Sequence, residues 1–408
     1  MPGATMRISN TRYTSPFGNT MPSDAHRIWR DFLLNPFRLF FLTGAIAAIA
    51  AALCWLLAVR GWWPVAIDVL NLHAFLFLQG LGGAVYVGFV LTALPEWTHY
   101  ARPLHRHSQR LWSAWLLAVL IAPWQLSFAL AVMGLFWLYL TSVAAHIVLW
   151  AKDTRQISVL LLLGMMNLVT WLAVSRPGSF WWQQMLHVNM IGIALITFRI
   201  GRVLGQEALD TAGWTDSRFI PNPFYKNIAV WMVYLLVGSN LWLGDSVLAG
   251  WLSLAVASAF IGRLREWHFA VLQRQPYVRW YYLTMAIIGI GYGWRGVVLV
   301  LAHDNPVLPL HFIAIGGMVL MIYQVMTIAG IRHSGLALYY PLTNRIALLC
   351  IVLAALIRSL GQALYPAHYQ LMSIDLPGVL LSLAFAIYLP VFYTIFIHHK
   401  AVAVGGAE

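Results

Sequence analysis

Charged residues are scarce in this chain of 408 residues: 9% are Asp, Glu, Lys or Arg, whereas 61% are hydrophobic. A soluble domain has roughly 25% charged and 45–50% apolar residues. A water-soluble core cannot bury this apolar excess. The composition therefore excludes an ordinary soluble protein and indicates a chain that crosses a lipid bilayer many times.

Cysteines and acidic residues are also few. The two cysteines, Cys54 and Cys350, lie inside apolar blocks and show neither metal-ligand spacing nor a disulfide framework. The 13 acidic residues are nearly absent from the apolar blocks, where Asp68 and Asp375 mark only the outer ends of helices. A continuous carboxylate path for pumping protons is therefore not expected.

Most of the chain consists of twelve apolar blocks separated by short polar breaks. Since a bilayer crossing takes roughly 20 residues, we expect an all-α, polytopic transmembrane bundle of about twelve helices. It comprises an N-terminal segment (1–36), a membrane domain (37–398) and a short tail (399–408). The predicted crossings are 38–59, 65–94, 107–122, 126–150, 157–175, 179–203, 227–243, 246–262, 280–302, 307–330, 343–362 and 374–396.

The basic residues predict the orientation. With the N-terminus inside, 21 of the 25 Lys and Arg fall on inner loops and 4 on the outer side. Such a bias is typical of cytoplasmic loops, so we expect both termini in the cytoplasm. The same bias accounts for the net charge of +12, and no nucleic-acid partner is expected.

Three histidines lie shortly after the start of an apolar block: His73, His187 and His311, in the second, sixth and tenth crossings. A fourth, His146, lies near the inner end of the fourth crossing. The second, sixth and tenth crossings all run from outside to inside, which places their three imidazoles in the outer half of the bilayer. A histidine in lipid needs a partner, either a polar group on a neighbouring helix or a metal. Three at similar depth favour a shared or paired metal or haem site.

Two further residues are candidates for binding a cofactor. Gly80 follows His73 at helical spacing and is small enough to admit either a flat macrocycle or a neighbouring helix. Arg295 lies within the ninth crossing, where an unpaired guanidinium is costly. Haem propionates would suit it as partners, because guanidinium binds carboxylate through two hydrogen bonds. The alternative is that Arg295 extends to the bilayer surface.

Four segments carry distinctive motifs: NPFRLFFLTG from Asn35, HAFLFLQG…GFVLTALPEWT from His73 to Thr98, IGRVL from Ile200, and HFIAIGGMVLMIYQVMTIAGIRHSG from His311. In these segments the chain resembles the NnrS family of bacterial membrane proteins, whose corresponding motifs are FRPFFLLG, HAHEMLFG…GFLLTAxPxWT, GGRVIP and HALTVGAIGxM…MTR…GHTG. The match places Arg202 on the arginine of GGRVIP. The resemblance implies that the chain lies in the inner (cytoplasmic) membrane of a bacterium.

Some family positions differ here. The second histidine and the acid of HAHE are Phe75 and Leu76, the arginine after Met-Thr is Ile328, and the proline after GGRVI is Gly205. His333 keeps its register and is a further candidate metal ligand, although it falls at the inner face. There a structural role, or a route for electrons or protons, is the alternative.

The resemblance implies a haem b protein, with copper as a possible second metal, that acts in nitric oxide metabolism and the nitrosative-stress response. Loss of the second histidine puts copper in doubt more than haem. The expected activity is that of an oxidoreductase resembling nitric oxide reductases. Its partners would be nitric oxide or another small diatomic ligand, the lipid bilayer, and an electron donor such as a quinol or a cytochrome.

The alternative is a transporter or metal-handling permease without redox chemistry. Twelve helices and glycine-rich segments fit that class as well, although the two halves show no convincing internal repeat. The two hypotheses differ in one visible property, since only the haem protein would be coloured.

Overall fold

Helices account for all the regular structure of the described chain. The computed structural model describes residues 25–63, 67–301 and 306–402. The main helices are α1 (Ala25–Leu34), α2 (Pro36–Val59), α3 (Val69–Thr98), α4 (His105–Ile121), α5 (Leu126–Ala151), α6 (Thr154–Val174), α7 (Ser179–Thr211), α8 (Pro223–Leu243), α9 (Val247–Trp267), α10 (Pro276–Val300), α11 (Val307–Arg332), α12 (Leu342–Gly361) and α13 (Leu371–His398).

Helices α2 to α13 coincide in order with the twelve predicted crossings. In the described ranges, ten of them are long and apolar enough to cross a membrane, and α4 and α8 fall outside that set. Helix α4 has 17 residues, in agreement with the short third block of the sequence. The predicted all-α polytopic bundle is confirmed.

Consecutive helices pack side by side along most of the chain, and the last helix, α13, packs against α2. Arg38 fixes this closing contact, because its guanidinium donates to the carbonyl oxygens of Phe396 at 2.8 Å and His399 at 2.5 Å. The fully buried Arg38 also pairs with Asp31. The first and last crossings are thus tied together at one end of the bundle.

The second and tenth crossings form the centre of the bundle. In both α3 and α11, 89% of the most apolar stretch is buried by the rest of the chain, whereas the other spans range from 33% to 67%. Each central helix carries one of the three histidines predicted to lie within the membrane. The bundle therefore places His73 and His311 on the two helices that are most shielded from lipid.

Both central helices change to π-helix directly after the region of their histidine. The π-helical segments of these two helices are Leu76–Leu81 in α3 and Phe312–Val319 in α11; two others, Ile357–Gly361 and Leu371–Asp375, end α12 and begin α13. A π-turn holds one more residue than an α-turn, which changes the direction of every later side chain, and such turns occur frequently at functional sites.

Candidate functional site

His73 and His311 lie together with Arg358 at the junction of α3, α11 and α12. Nδ1 of His73 is 3.0 Å from the carbonyl oxygen of Ala51, and Nδ1 of His311 is 3.0 Å from that of Val307. Nη2 of Arg358 donates to Nε2 of His311 at 3.3 Å. The two histidines interact electrostatically with each other, and both do so with Arg358. The structure thus brings two of the three predicted histidines together.

The hydrogen bonds fix the protonation pattern of this pair. A carbonyl oxygen can only accept, so Nδ1 of His73 and of His311 carries the proton. In a neutral ring, Nε2 then presents its lone pair. Histidines that ligate a metal usually show this arrangement, because the hydrogen bond at one nitrogen orients the other toward the metal.

His187 lies in a second buried polar cluster, between α7 and α10. Its Nδ1 is 3.0 Å from the hydroxyl of Tyr292, and the side chain is completely buried. Nε2 of His187 is buried and has no hydrogen-bond partner within the described part of the chain. When the Tyr292 hydroxyl accepts from Nδ1, Nε2 is a bare lone pair that a metal could take.

Arg295 is a neighbour of His187 and is fully buried. Its Nη2 is 2.7 Å from Oδ1 of Asp245, and its Nη1 donates to the hydroxyl of Ser253 at 2.8 Å. Asp245 lies in the loop between α8 and α9 and is 33% exposed, so the buried guanidinium reaches that end of the bundle. The carboxylate partner of the guanidinium is therefore Asp245 of the same chain. Binding of haem propionates by Arg295 stays a prediction.

The described residues form no group of three or more His, Cys, Asp or Glu side chains that could hold a metal ion. The structure therefore does not join the three histidines into one three-residue metal centre. It forms a pair, His73 with His311, and a separate cluster around His187. Metal binding at either place would use fewer protein ligands than a closed structural site.

Gly80 lies where α3 meets a neighbouring helix. A Cβ atom at Gly80 would be 3.4 Å from Cβ of Ala47 on α2. The Gly80 carbonyl accepts a hydrogen bond from Nε1 of Trp115 at 2.9 Å. Of the two uses foreseen for this glycine, close helix packing is the one that these contacts support.

His333 lies at the other end of α11, away from the three histidines. Its Nδ1 is 3.5 Å from a carboxylate oxygen of Glu96, and its ring packs 5.3 Å from that of Phe37. Burial lowers the pKa of His333 to about 4, and a backbone hydrogen bond to Val402 only partly offsets this effect. A neutral His333 that joins α2, α3 and the chain after α13 fits the structural alternative.

Sequence reasoning missed the partners of the histidines. Arg358 is one of the four basic residues on the predicted outer side, and neither it nor Tyr292 nor Asp245 is among the predicted site residues. Two weak signals were present: Arg358 falls inside the eleventh predicted crossing, and Asp245 lies in the short break between two apolar blocks. Neither signal shows which helix face the side chain occupies.

Two cavities open elsewhere in the bundle. One has a volume of about 70 Å³ and lies between α3, α6, α7 and α8, and the other has about 210 Å³ and lies between α4 and α5. Neither is lined by His73, His187 or His311.

The bundle of apolar helices with buried polar clusters defines an all-α, multi-pass membrane protein. The model of the NnrS protein family matches residues 31–400, and the chain therefore belongs to the NnrS family. This confirms the resemblance seen in the motifs. A comparison with curated proteins finds no match.

Proposed function

We propose that this chain is a membrane haem b protein that binds nitric oxide, with His73, His187 and His311 as the candidate axial ligands. One observation carries the proposal. Each of the three imidazoles has Nδ1 occupied by an oxygen of the chain, so that Nε2 is the nitrogen that would bind iron. In His311, Nε2 accepts from Arg358 and would exchange that hydrogen bond for the iron. For His187 that nitrogen is buried without a partner among the described residues.

The donor set fits haem better than a separate copper ion. Neutral imidazole is a common axial ligand of haem iron, whereas the described residues offer no three-residue cluster for a protein-ligated metal. Phe75 and Leu76 also replace the histidine and the acid of the family motif. Copper remains a prediction of the resemblance and forms no part of this proposal.

When bound, haem would supply an iron that binds diatomic ligands and exchanges single electrons. The chain's own groups hold the imidazoles and control charge around them. The Ala51 carbonyl and the Tyr292 hydroxyl fix the ring orientations of His73 and His187. Arg358, beside His311, places a cation where a carboxylate group of a bound cofactor would be stabilised.

The NnrS family and the position of the site support nitric oxide as the ligand. Nitric oxide partitions into lipid, so a site on buried helices within the bilayer is accessible to it. Whether the bound gas is reduced, oxidised or transferred depends on an electron donor, for which a quinol or a cytochrome stays the prediction. The bacterial inner membrane stays the predicted location.

The test is the absorption spectrum of the full-length protein, purified in detergent from a host that makes haem. We expect a red protein with a Soret band that shifts on reduction and again on adding nitric oxide. His73→Ala, His187→Ala and His311→Ala, alone and in pairs, should bleach or shift the band. His146→Ala is the matched control, because His146 is exposed on α5, and it should leave the spectrum unchanged.

A colourless protein from haem-replete cells would contradict the proposal and favour the permease. An unchanged spectrum in every single and paired variant would show that the haem is held elsewhere. Size-exclusion chromatography of each variant confirms that it is folded, so that loss of colour reports on the site.

A further inference from the structure

Three cationic side chains converge on one cavity at the predicted cytoplasmic end of the bundle. The cavity has a volume of about 70 Å³ and is lined by Arg155 of α6, Arg199 of α7 and Lys226 of α8. Arg155 and Lys226 lie in or next to the first turn of their helices, and Trp97, in the last turn of α3, completes the same end. The cavity therefore opens where four helices meet the predicted inner surface.

Two of these cations are only partly neutralised by the protein. Arg199 donates to the side-chain oxygen of Gln156 at 2.6 Å, and its guanidinium lies 3.5 Å from the ring centroid of Trp97. The ammonium of Lys226 lies 4.9 Å from the ring of Phe198. In the part of the chain that the structure describes, neither Arg199 nor Lys226 forms an ion pair. Asp153 pairs with Arg155 and also attracts Arg199 from farther away.

Apart from Ser158 and Tyr86, the remaining walls of the cavity are apolar, and they run away from the cations toward the middle of the bundle. On α3 the lining extends from Trp97 back to Tyr86 through Leu94, Val90 and Phe89. These eleven helical steps span about 16 Å, which is close to half of the roughly 30 Å hydrocarbon core of a bilayer. The lining thus combines a cationic rim with an apolar wall as long as one leaflet.

We propose that this cavity binds the phosphate headgroup of an anionic phospholipid from the cytoplasmic leaflet, with an acyl chain along the α3 wall. Charge complementarity argues for this occupant, because basic pockets between helices on the cytoplasmic side bind anionic headgroups. The stacking of Arg199 on Trp97 holds one cation in place before the lipid arrives. A free inorganic anion would contact the cationic rim but would leave the apolar wall of α3 unoccupied.

The experiment compares binding of dioleoyl phosphatidylglycerol and dioleoyl phosphatidylcholine to the purified full-length protein by native mass spectrometry. We expect the anionic lipid to be retained preferentially. In the double variant Arg199→Gln with Lys226→Gln, its affinity should fall by about fivefold for each charge removed. Arg274→Gln with Arg279→Gln is the matched control, because both arginines are exposed on the same predicted face and outside the cavity, and it should bind as the wild type does.

Three results would overturn the proposal. The two lipids could bind equally, the control variant could lose as much affinity as the cavity variant, or inorganic phosphate could displace the lipid at the lipid's own concentration. The last result would mean that the site takes a free anion. If the double variant fails to fold, Lys226→Gln alone serves the same purpose, since among the described residues this side chain makes only a ring contact.

Discussion

Several buried polar residues in this protein are held by a partner from a distant part of the sequence. Arg295 on α10 meets Asp245, 50 positions away, at 2.7 Å. Removing one member of a buried pair typically costs about 3–5 kcal/mol, because the other charge stays buried alone. At 33% exposure, Asp245 places this pair near the lower end of that range. Such pairs explain how charged groups are tolerated in an apolar bundle.

His333 provides a prediction about pH at the residue scale. Burial lowers its pKa from 6.5 to about 4. Folding therefore favours the neutral ring, and the stability this contributes is complete above pH 6.5 and is lost as the pH falls toward 4. The shift corresponds to at most about 3 kcal/mol.

The measurement is the midpoint of thermal unfolding in detergent between pH 4 and pH 7. His333→Gln should flatten the decline that the wild type shows on acidification, whereas the exposed His368→Gln should preserve it. If the unfolding midpoint of the His333 variant fell on acidification as much as that of the wild type, the acid sensitivity would come from other groups.

Much of the residue-scale site could not be predicted from the sequence. The similar depth of His73, His187 and His311 predicted a shared or paired site. His73 and His311 interact in the structure, whereas His187 lies in a separate cluster with Tyr292. The partners Arg358 and Tyr292 depend on the rotation of each helix about its axis. A hydropathy pattern does not specify that rotation when a helix is apolar on all sides.

At the scale of the elements, the order of the helices was predicted well and their ends less well. The sixth crossing was predicted as 179–203, whereas α7 runs over Ser179–Thr211. The apolar stretch ends where polar residues such as Arg202 and Glu207 begin, but the helix continues beyond it. The hydrogen bonds of the backbone, and not side-chain polarity, decide where a helix stops.

The π-helical segments could not have been predicted. A π-turn is an α-helix with one extra residue and has no composition of its own. The predicted placement of Gly80 on the same helix face as His73 assumed regular α-helical spacing. The ring contact of His73 with Phe77, at 5.1 Å, is present, but the π-helix of Leu76–Leu81 changes the direction of the later residues.

Close approach of α7 to α3 gives a prediction at this scale. A Cβ atom at Gly192 would overlap the hydroxyl of Tyr86, which itself donates to the carbonyl oxygen of Asn189 at 2.7 Å. Gly192→Ala should therefore destabilise the bundle by about 1–3 kcal/mol, as overpacking does.

Gly238→Ala is the matched control for that change. Gly238 is exposed in the interior of α8, and an added Cβ would meet nothing within 4 Å. There the substitution should leave stability unchanged or raise it by about 1 kcal/mol. Thermal unfolding of the two variants in detergent compares them, and equal midpoints would contradict the predicted packing of α7 on α3.

For the whole molecule, the distribution of basic residues predicts that both termini face the cytoplasm. Single cysteines can test this in a background where Cys54 and Cys350 are replaced by Ala. Ser175→Cys and Asp216→Cys lie at exposed positions just before and just after α7. A membrane-impermeant maleimide should label Ser175→Cys on intact spheroplasts and Asp216→Cys only after the membrane is opened.

The reverse labelling pattern would show that both termini face the outside and that the predicted orientation is wrong. It would also move the cavity of Arg199 and Lys226 to the outer surface. The fold would be unaffected, because the contacts between helices do not depend on which side faces the cytoplasm.

The central position of α3 and α11 has a consequence for biogenesis. His73 and His311 are separated by more than half of the chain. During synthesis, the helix with the first histidine enters the membrane long before the helix with the second exists. The pair can close only after the ribosome has completed at least ten crossings, so chains truncated before residue 311 insert into the bilayer without it.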